Sequence, residues 1–329
     1  MRLRLSPTLF LLGLVAALFA LVATGCGREE DEASGGVAAS TTGEQFEGRI
    51  EVDGSSTVGP LVSAAAESFR SQQPGVDVTV GISGTGGGFE RFCAGETDIS
   101  NASRPIKDDE EVPICEDNGV EYTELQVAND ALTVVVNPDN DWASCLTVDQ
   151  LKKMWEPSAE GNVTNWNQVD PSFPDEELVL FGAGTDSGTF DYFTDAVTGE
   201  EGASRTDYGA TEDDNVTVEG VANEKGGLGY FGFSYFEQNQ DRLKAAEIDG
   251  GEGCVAPSVE SAQSGEYAPL SRPLFIYVKN ESLQRPEVKA FVQYIVANAE
   301  TIAEQALFVP LSDEQASETQ AAFDQAAGI

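Results

Sequence analysis

Three times in this chain a short apolar run delivers the backbone into a turn of glycines and small hydroxyl residues, and a helical pattern follows at once. The first runs through Ile50-Glu51-Val52 into Asp53-Gly54-Ser55-Ser56-Thr57, after which Leu61, Val62, Ala65, Ala66 and Phe69 recur at helical spacing. The second runs from Val76 to Ile82 into Ser83-Gly84-Thr85-Gly86-Gly87-Gly88, and Phe89 and Phe92 mark its helix. The third is Leu178-Val179-Leu180-Phe181, then a turn from Gly182 to Thr189, then Phe190, Phe193 and Val197. Strands alternating with helices dictate an α/β layer, with ligands at the strand-to-helix turns. Each turn offers hydroxyls and backbone N–H groups that no helical carbonyl satisfies, so it attracts anions.

Between and after these units, Thr97 to Ala102 reads as a strand, and Tyr122 to Val127 and Ala131 to Val136 read as two more beyond an acidic connector. Leu146 to Trp155 has helical spacing, opened by Thr147 with Asp149 in the first turn, and a Trp/Asn/Pro-rich loop from Gly161 to Pro174 follows. Gly226 to Phe236 and Pro273 to Val278 read as strand regions. The patterns from Pro286 to Ala299 and from Glu300 to Phe308 are amphipathic helices expected to pack back onto the first unit.

The 57 Asp and Glu against 18 Lys and Arg leave a net charge of -39, which argues against nucleic acid as a partner because a phosphate backbone is bound by clustered cations. A small anion remains compatible, since local N–H dipoles and one arginine in a cleft outweigh a distant, screened surface. The sequence has no histidine. That removes His-based metal sites and every Ser-His-Asp or Cys-His nucleophile and disfavours hydrolysis, since an enzyme would need carboxylates, Lys, Tyr or a bare metal instead; no metal or cofactor is expected.

At the N-terminus, Arg2 and Arg4 precede an apolar run from Leu9 to Val22 and small residues before Cys26, which together read as an export signal over 1–25. Ala23-Thr24-Gly25-Cys26 resembles the bacterial lipobox, implying lipid on Cys26 and anchorage at the outer face of the cytoplasmic membrane. Residues 26–47 are acidic and rich in small residues, the composition of a flexible tether. Four further cysteines, Cys93, Cys115, Cys145 and Cys254, suggest two disulfides in an exported chain. Four cysteines allow three pairings; Cys93 with Cys115 closes a short loop and Cys145 with Cys254 staples the middle.

VDGSSTVGPLV, GISGTGGGFERFCAGETDISNASRPI, GAGTDSGTFDYF and GGLGYFGF, in this order, resemble the phosphate-binding proteins of bacterial ABC phosphate importers, the PstS family. The resemblance implies a two-domain α/β fold of the periplasmic-binding-protein type (type II), with a ligand cleft between domains joined by two crossing strands. Domain I is expected over 48–133 plus 272–329 and domain II over 134–271. Carried over by motif, Thr57 and the Val58 amide take the first turn, where Ser56 is a further hydroxyl donor, Thr85 the second, and Ser187, Gly188 and Thr189 the third.

Two positions depart from the best-known members: Ser103-Arg104 stands where those have an aspartate, and Ala183 where they carry an arginine. The coupled loss implies that Arg104 delivers the guanidinium from the opposite domain, as in the subgroup with a Ser-Arg-Pro signature. Asp186 is then the candidate acceptor for the proton of phosphate. The expected partners are inorganic phosphate and the permease subunits of an ABC importer, with the chain itself a monomer. Alternatives are another oxyanion (sulfate, molybdate or tungstate), a metal-dependent secreted phosphatase, or a surface scaffold.

Overall fold

The computed structural model describes residues 44–329. The expected export signal, Cys26 and most of the expected tether lie outside the described residues. Among those described there are twelve strands: β1 (Glu47–Gly54), β2 (Gly75–Val80), β3 (Ile99–Ala102), β4 (Tyr122–Val136), β5 (Cys145–Thr147), β6 (Val179–Ala183), β7 (Gly209–Thr211), β8 (Gly227–Gly232), β9 (Lys244–Ala245), β10 (Glu247–Asp249), β11 (Cys254–Val255) and β12 (Ser271–Lys279).

Nine of the strands form one sheet in the order β2-β1-β3-β12-β4-β8-β6-β7, with β9 added on β4. Its two ends are parallel, β2-β1-β3 on one side and β8-β6-β7 on the other. Antiparallel β12 and β4 join them. A parallel pair needs a crossover, and at each end helices supply it: Val58–Arg70 and Gly84–Cys93 on one side, Gly188–Thr198 and Asp214–Asn223 on the other. The remaining strands make a small sheet, β11-β10-β5.

β4 passes from one hydrophobic core into another. Its Leu125 and Val127 pack with Ile50, Leu61, Phe69, Ile276, Phe291 and Phe323. Further along, Leu132, Val134 and Val136 pack with Trp155, Trp166, Leu180, Phe193 and Tyr230. Helices Pro286–Ala297 and Ala299–Gln305 do return to the first core, through Val288, Val292, Ile295 and Ile302. By their contacts all the described residues cluster as one unit, Glu44–Ile329.

Several elements differ from the sequence reading. The two strands expected between Tyr122 and Val136 are one, because β12 pairs in register across the polar Asn129-Asp130 step; the one irregularity lies on β4 itself, where Val127 is left without a partner between Leu274/Ala128 and Phe275/Gln126. The acidic connector contains a helix, Val112–Asp117, whose Cys115 is buried and bonded to Cys93. The pattern from Leu146 to Trp155 begins in strand β5 and becomes helical only at Val148, where Thr147 and Gln150 form a capping box. The Trp/Asn/Pro-rich loop holds a short helix, Trp166–Val169. The glycine and aromatic strand ends at Gly232, and Phe233–Glu237 is helical. A C-terminal helix, Asp313–Ala327, buries only Thr319 and Phe323, too sparse an apolar signal to find from periodicity. Of the three disulfide pairings, the structure has Cys93–Cys115 and Cys145–Cys254.

Candidate functional site

The first and second turns meet because two glycines let their backbones touch. Gly54 ends β1 at φ +137°, and a Cβ there would stand 2.1 Å from the Asn101 carbonyl oxygen of β3. A Cβ on Gly88 would lie 2.5 Å from Gly54 Cα. Only hydrogen fits at either place. The two turns therefore open side by side into a cleft of about 470 Å³. Ser55, Ser56 and Thr57 line it from the first turn, Ser83 to Gly86 from the second, and Ser103, Arg104 and Pro105 from the end of β3.

Within the first turn Ser55 Oγ accepts the amides of Thr57 (3.1 Å) and Val58 (3.3 Å), so the Val58 N–H has a partner, while Thr57, at the N-cap position of helix Val58–Arg70, makes no side-chain cap bond. Val58 is buried. In the second turn the Thr85 and Ser103 hydroxyls lie 3.0 Å apart, and Thr85 Oγ1 also accepts the Ser103 amide at 3.3 Å.

The third turn reaches the first at one point. A Cβ on Gly188 would be 3.1 Å from Thr57 Oγ1 and 3.5 Å from Ser56 Oγ, so the backbone of Gly188 lies against both hydroxyl residues. Ser187 Oγ accepts the Thr189 amide at 3.2 Å and caps helix Gly188–Thr198. Ser187, Gly188 and Thr189 are half-buried beside the cleft, whose lining on this side comes from Asp191, Tyr192 and Asp195, further along the same helix, and from Glu201. Asp186 is exposed and outside that lining.

Arg104 lines the cleft but is engaged elsewhere. Its Nη1 and Nη2 donate to Glu111 Oε2 (2.8 Å) and Oε1 (2.7 Å), and Nη1 also donates to the Pro105 carbonyl at 3.0 Å. Ala183, at the end of β6, is buried, and its carbonyl accepts the Tyr208 hydroxyl at 2.7 Å.

A second guanidinium sits in the same cleft. Arg272 of β12 is paired in register with Asp130 of β4, where the two strands pass between the cores. Its Nε (3.2 Å) and Nη2 (3.1 Å) donate to Asp130 Oδ2, Nη2 donates to Thr57 Oγ1 at 3.0 Å, and the guanidinium carbon stands 3.5 Å from the centre of the Tyr192 ring. Burial pushes the Asp130 carboxyl up, and the Arg272 charge opposes it. Asp191 is raised by burial, against the Arg272 charge and a hydrogen bond from Ser56. Glu201 is raised by burial and by the charges of Asp191 and Asp195, again opposed by Arg272.

Arg272, Asp191, Asp195, Glu201 and Tyr192 were not legible as site residues in the sequence. The one signal was a charged residue entering an otherwise apolar strand, Ser271-Arg272-Pro273-Leu274-Phe275-Ile276.

A cleft between hydroxyl turns at the carboxyl ends of parallel strands, beside two long antiparallel strands, is the architecture of a solute-binding protein. The family description "PBP superfamily domain" matches residues 35–299, and the chain belongs to that superfamily. Within it the chain belongs with the PstS and SphX proteins. It is 50% identical to the protein SphX of Synechocystis over 83% of this chain and 81% of the relative. It is 38% identical to the phosphate-binding protein PstS of Staphylococcus saprophyticus over 86% of each. The crystal structure of a possible phosphate binding protein from Planctomyces limnophilus superposes with a TM-score of 0.82 at 44% identity, covering 86% of this chain and 99% of that one.

Proposed function

We propose that this protein is the phosphate-binding component of an ABC-type importer, anchored outside the membrane through lipid on Cys26 and acting without bond chemistry. The observation that carries the reading is the junction of two donor turns at Gly54 and Gly88, with Ser56, Thr57, Thr85 and Ser103 on one cleft and Gly188 against the first turn. Neutral O–H and N–H donors at helix N-termini replace the water of an oxyanion without requiring a basic surface. The phosphate-binding protein PstS at 38% identity and the possible phosphate binding protein at 44% identity, each matched over most of the chain, support phosphate as the ligand.

Domains over 48–133 plus 272–329 and over 134–271 close on the ligand and give a permease a state to recognise; the two cores on either side of the β4–β12 crossing support a two-part division, with Leu132 already in the second core. The acceptor for the proton of phosphate is Asp191 rather than Asp186, because Asp191 lines the cleft and Asp186 does not. A carboxylate facing sulfate, which brings no proton, leaves a repulsive and unsatisfied contact, so this acceptor sets the selectivity. No helix among the described residues is long and apolar enough to cross a membrane.

Titration calorimetry tests the reading. The expected result is tight 1:1 binding of phosphate with sulfate at least about a hundredfold weaker, a difference of about 2.7 kcal/mol. Equal binding of sulfate, molybdate or tungstate would remove the selectivity, and absence of phosphate binding would remove the function.

A further inference from the structure

The two guanidinium groups of the cleft differ in what they have left to give. Arg104 presents both terminal nitrogens to Glu111. Arg272 spends only Nε and Nη2, and among the described residues Nη1 has no hydrogen-bond partner. The plane of its guanidinium is fixed by Asp130 on one edge, by Thr57 Oγ1 and by the Tyr192 ring against its face. Such a group is already oriented for an anion and loses little freedom on binding one.

Its place in the sheet matters as much. Arg272 lies on β12 opposite Asp130 of β4, at the step where β4 leaves Leu125 and Val127 in the first core for Leu132 and Val134 in the second. It bonds Thr57 of the first turn and stacks on Tyr192 of the helix that follows the third. An oxyanion on Nη1 therefore touches a charge tied to both sides of the cleft. The same charge faces Asp191 and Glu201, so it counters the carboxylates that would otherwise repel an anion.

We propose that Arg272, and not Arg104, is the guanidinium that binds the oxyanion in this cleft. The assignment rests on the cleft being the phosphate site. It makes the Asp130 carboxylate the positioning residue for Arg272 and makes Thr57 a hydroxyl whose oxygen is filled by Arg272 and whose hydrogen is left for the ligand.

Phosphate titration of the full mature protein and its variants decides it. Arg272→Gln is expected to lose about a hundredfold or more in affinity, the cost of removing a hydrogen-bonded charge from a buried contact. Because that change leaves Asp130 buried without its partner, the double variant Asp130→Asn/Arg272→Gln, in which no orphan charge remains, is measured alongside; it is expected to fold with a thermal midpoint near wild type and to bind as weakly as Arg272→Gln. Asp130→Asn alone keeps the cation and is expected to lose only about tenfold. A purely structural pair would give the opposite split, with Asp130→Asn as damaging as Arg272→Gln and the folded double variant binding phosphate normally, and that result overturns the assignment. Arg104→Gln losing more affinity than the double variant overturns it as well. If wild-type protein binds no phosphate, the reading of the cleft fails first; if it binds and the double variant binds equally, only the role of Arg272 fails.

Discussion

Arg104 and Arg272 stand on one cleft, each paired with a carboxylate, yet the pairs are different physical objects. The Arg104 side chain is 34% exposed and grips Glu111 with two parallel bonds from a partner seven residues away. The Arg272 side chain is 18% exposed, its Asp130 partner 7%, and the partner lies 142 residues away across a strand pair. The first pair closes a local loop beneath the second turn, next to the Cys93–Cys115 bond. The second ties the middle of the sheet to the cleft floor. A guanidinium visible in a motif can be committed to its own loop, while the one with a free edge comes from a strand that carries no motif.

The two pairs differ most in what their loss costs the fold. Asp130→Ala leaves Arg272 largely desolvated and unpaired and is expected to cost about 3–5 kcal/mol, whereas Glu111→Ala frees an arginine that can turn to water and should cost about 1 kcal/mol. Denaturant unfolding of the two variants measures both; equal losses would mean that the two pairs are not distinct.

A smaller difference is expected in ligand affinity. With Glu111 holding both terminal nitrogens, Arg104→Gln should weaken phosphate binding only about fivefold, read by calorimetry, well short of the large loss expected for an arginine that holds the ligand.

The smallest effect lies with a third pair, Arg205 and Asp207. Arg205 is buried, donates to the Met154 (3.1 Å) and Val163 (2.9 Å) carbonyls and holds Asp207 at 2.8 Å, a set of partners with no cleft in it. Its hydrogen bonds pull the Asp207 carboxyl down to about 2. A carboxylate more acidic in the folded state than in the unfolded one stabilises the fold above its ordinary value near 4, and that contribution is lost as the pH falls towards about 2. Asp207→Asn should therefore flatten the acid limb of stability, followed by circular dichroism between about pH 4 and pH 2, and leave phosphate affinity at neutral pH unaltered.

Much of the fold could be read from periodicity. The three strand–turn–helix units fall where the apolar spacing puts them, and so do the helices that return to the first core. What periodicity missed has a common cause. Helices Val112–Asp117 and Asp313–Ala327 bury few apolar residues, and the length of β4 is set by its neighbour β12 across a polar step that reads as a break. In the cleft, hydroxyl turns were visible because capping chemistry is local: Ser56, Thr57, Thr85 and Ser103 each sit within a few residues of the backbone groups that define the turn. The Val58 amide, whose role comes from the resemblance and not from local capping, donates to Ser55 Oγ in this structure, because the angle at which β1 enters the turn sets which hydroxyl meets the first helical amides.

The class of fold, the donor turns and the chemistry available to a site without histidine are all written in the amino-acid order. All of these depend on residue type and on spacings shorter than one strand–helix unit. Which charges line the cleft follows from the tertiary structure alone. Arg272 reaches Thr57 across 215 positions and Asp130 across 142, and Gly188 comes to lie against Thr57 from the start of helix Gly188–Thr198. Contacts of that range follow from strand order and register, which no local pattern encodes. Arg104, one residue from Ser103 in the sequence, is turned to Glu111, while the open edge in the cleft belongs to Arg272.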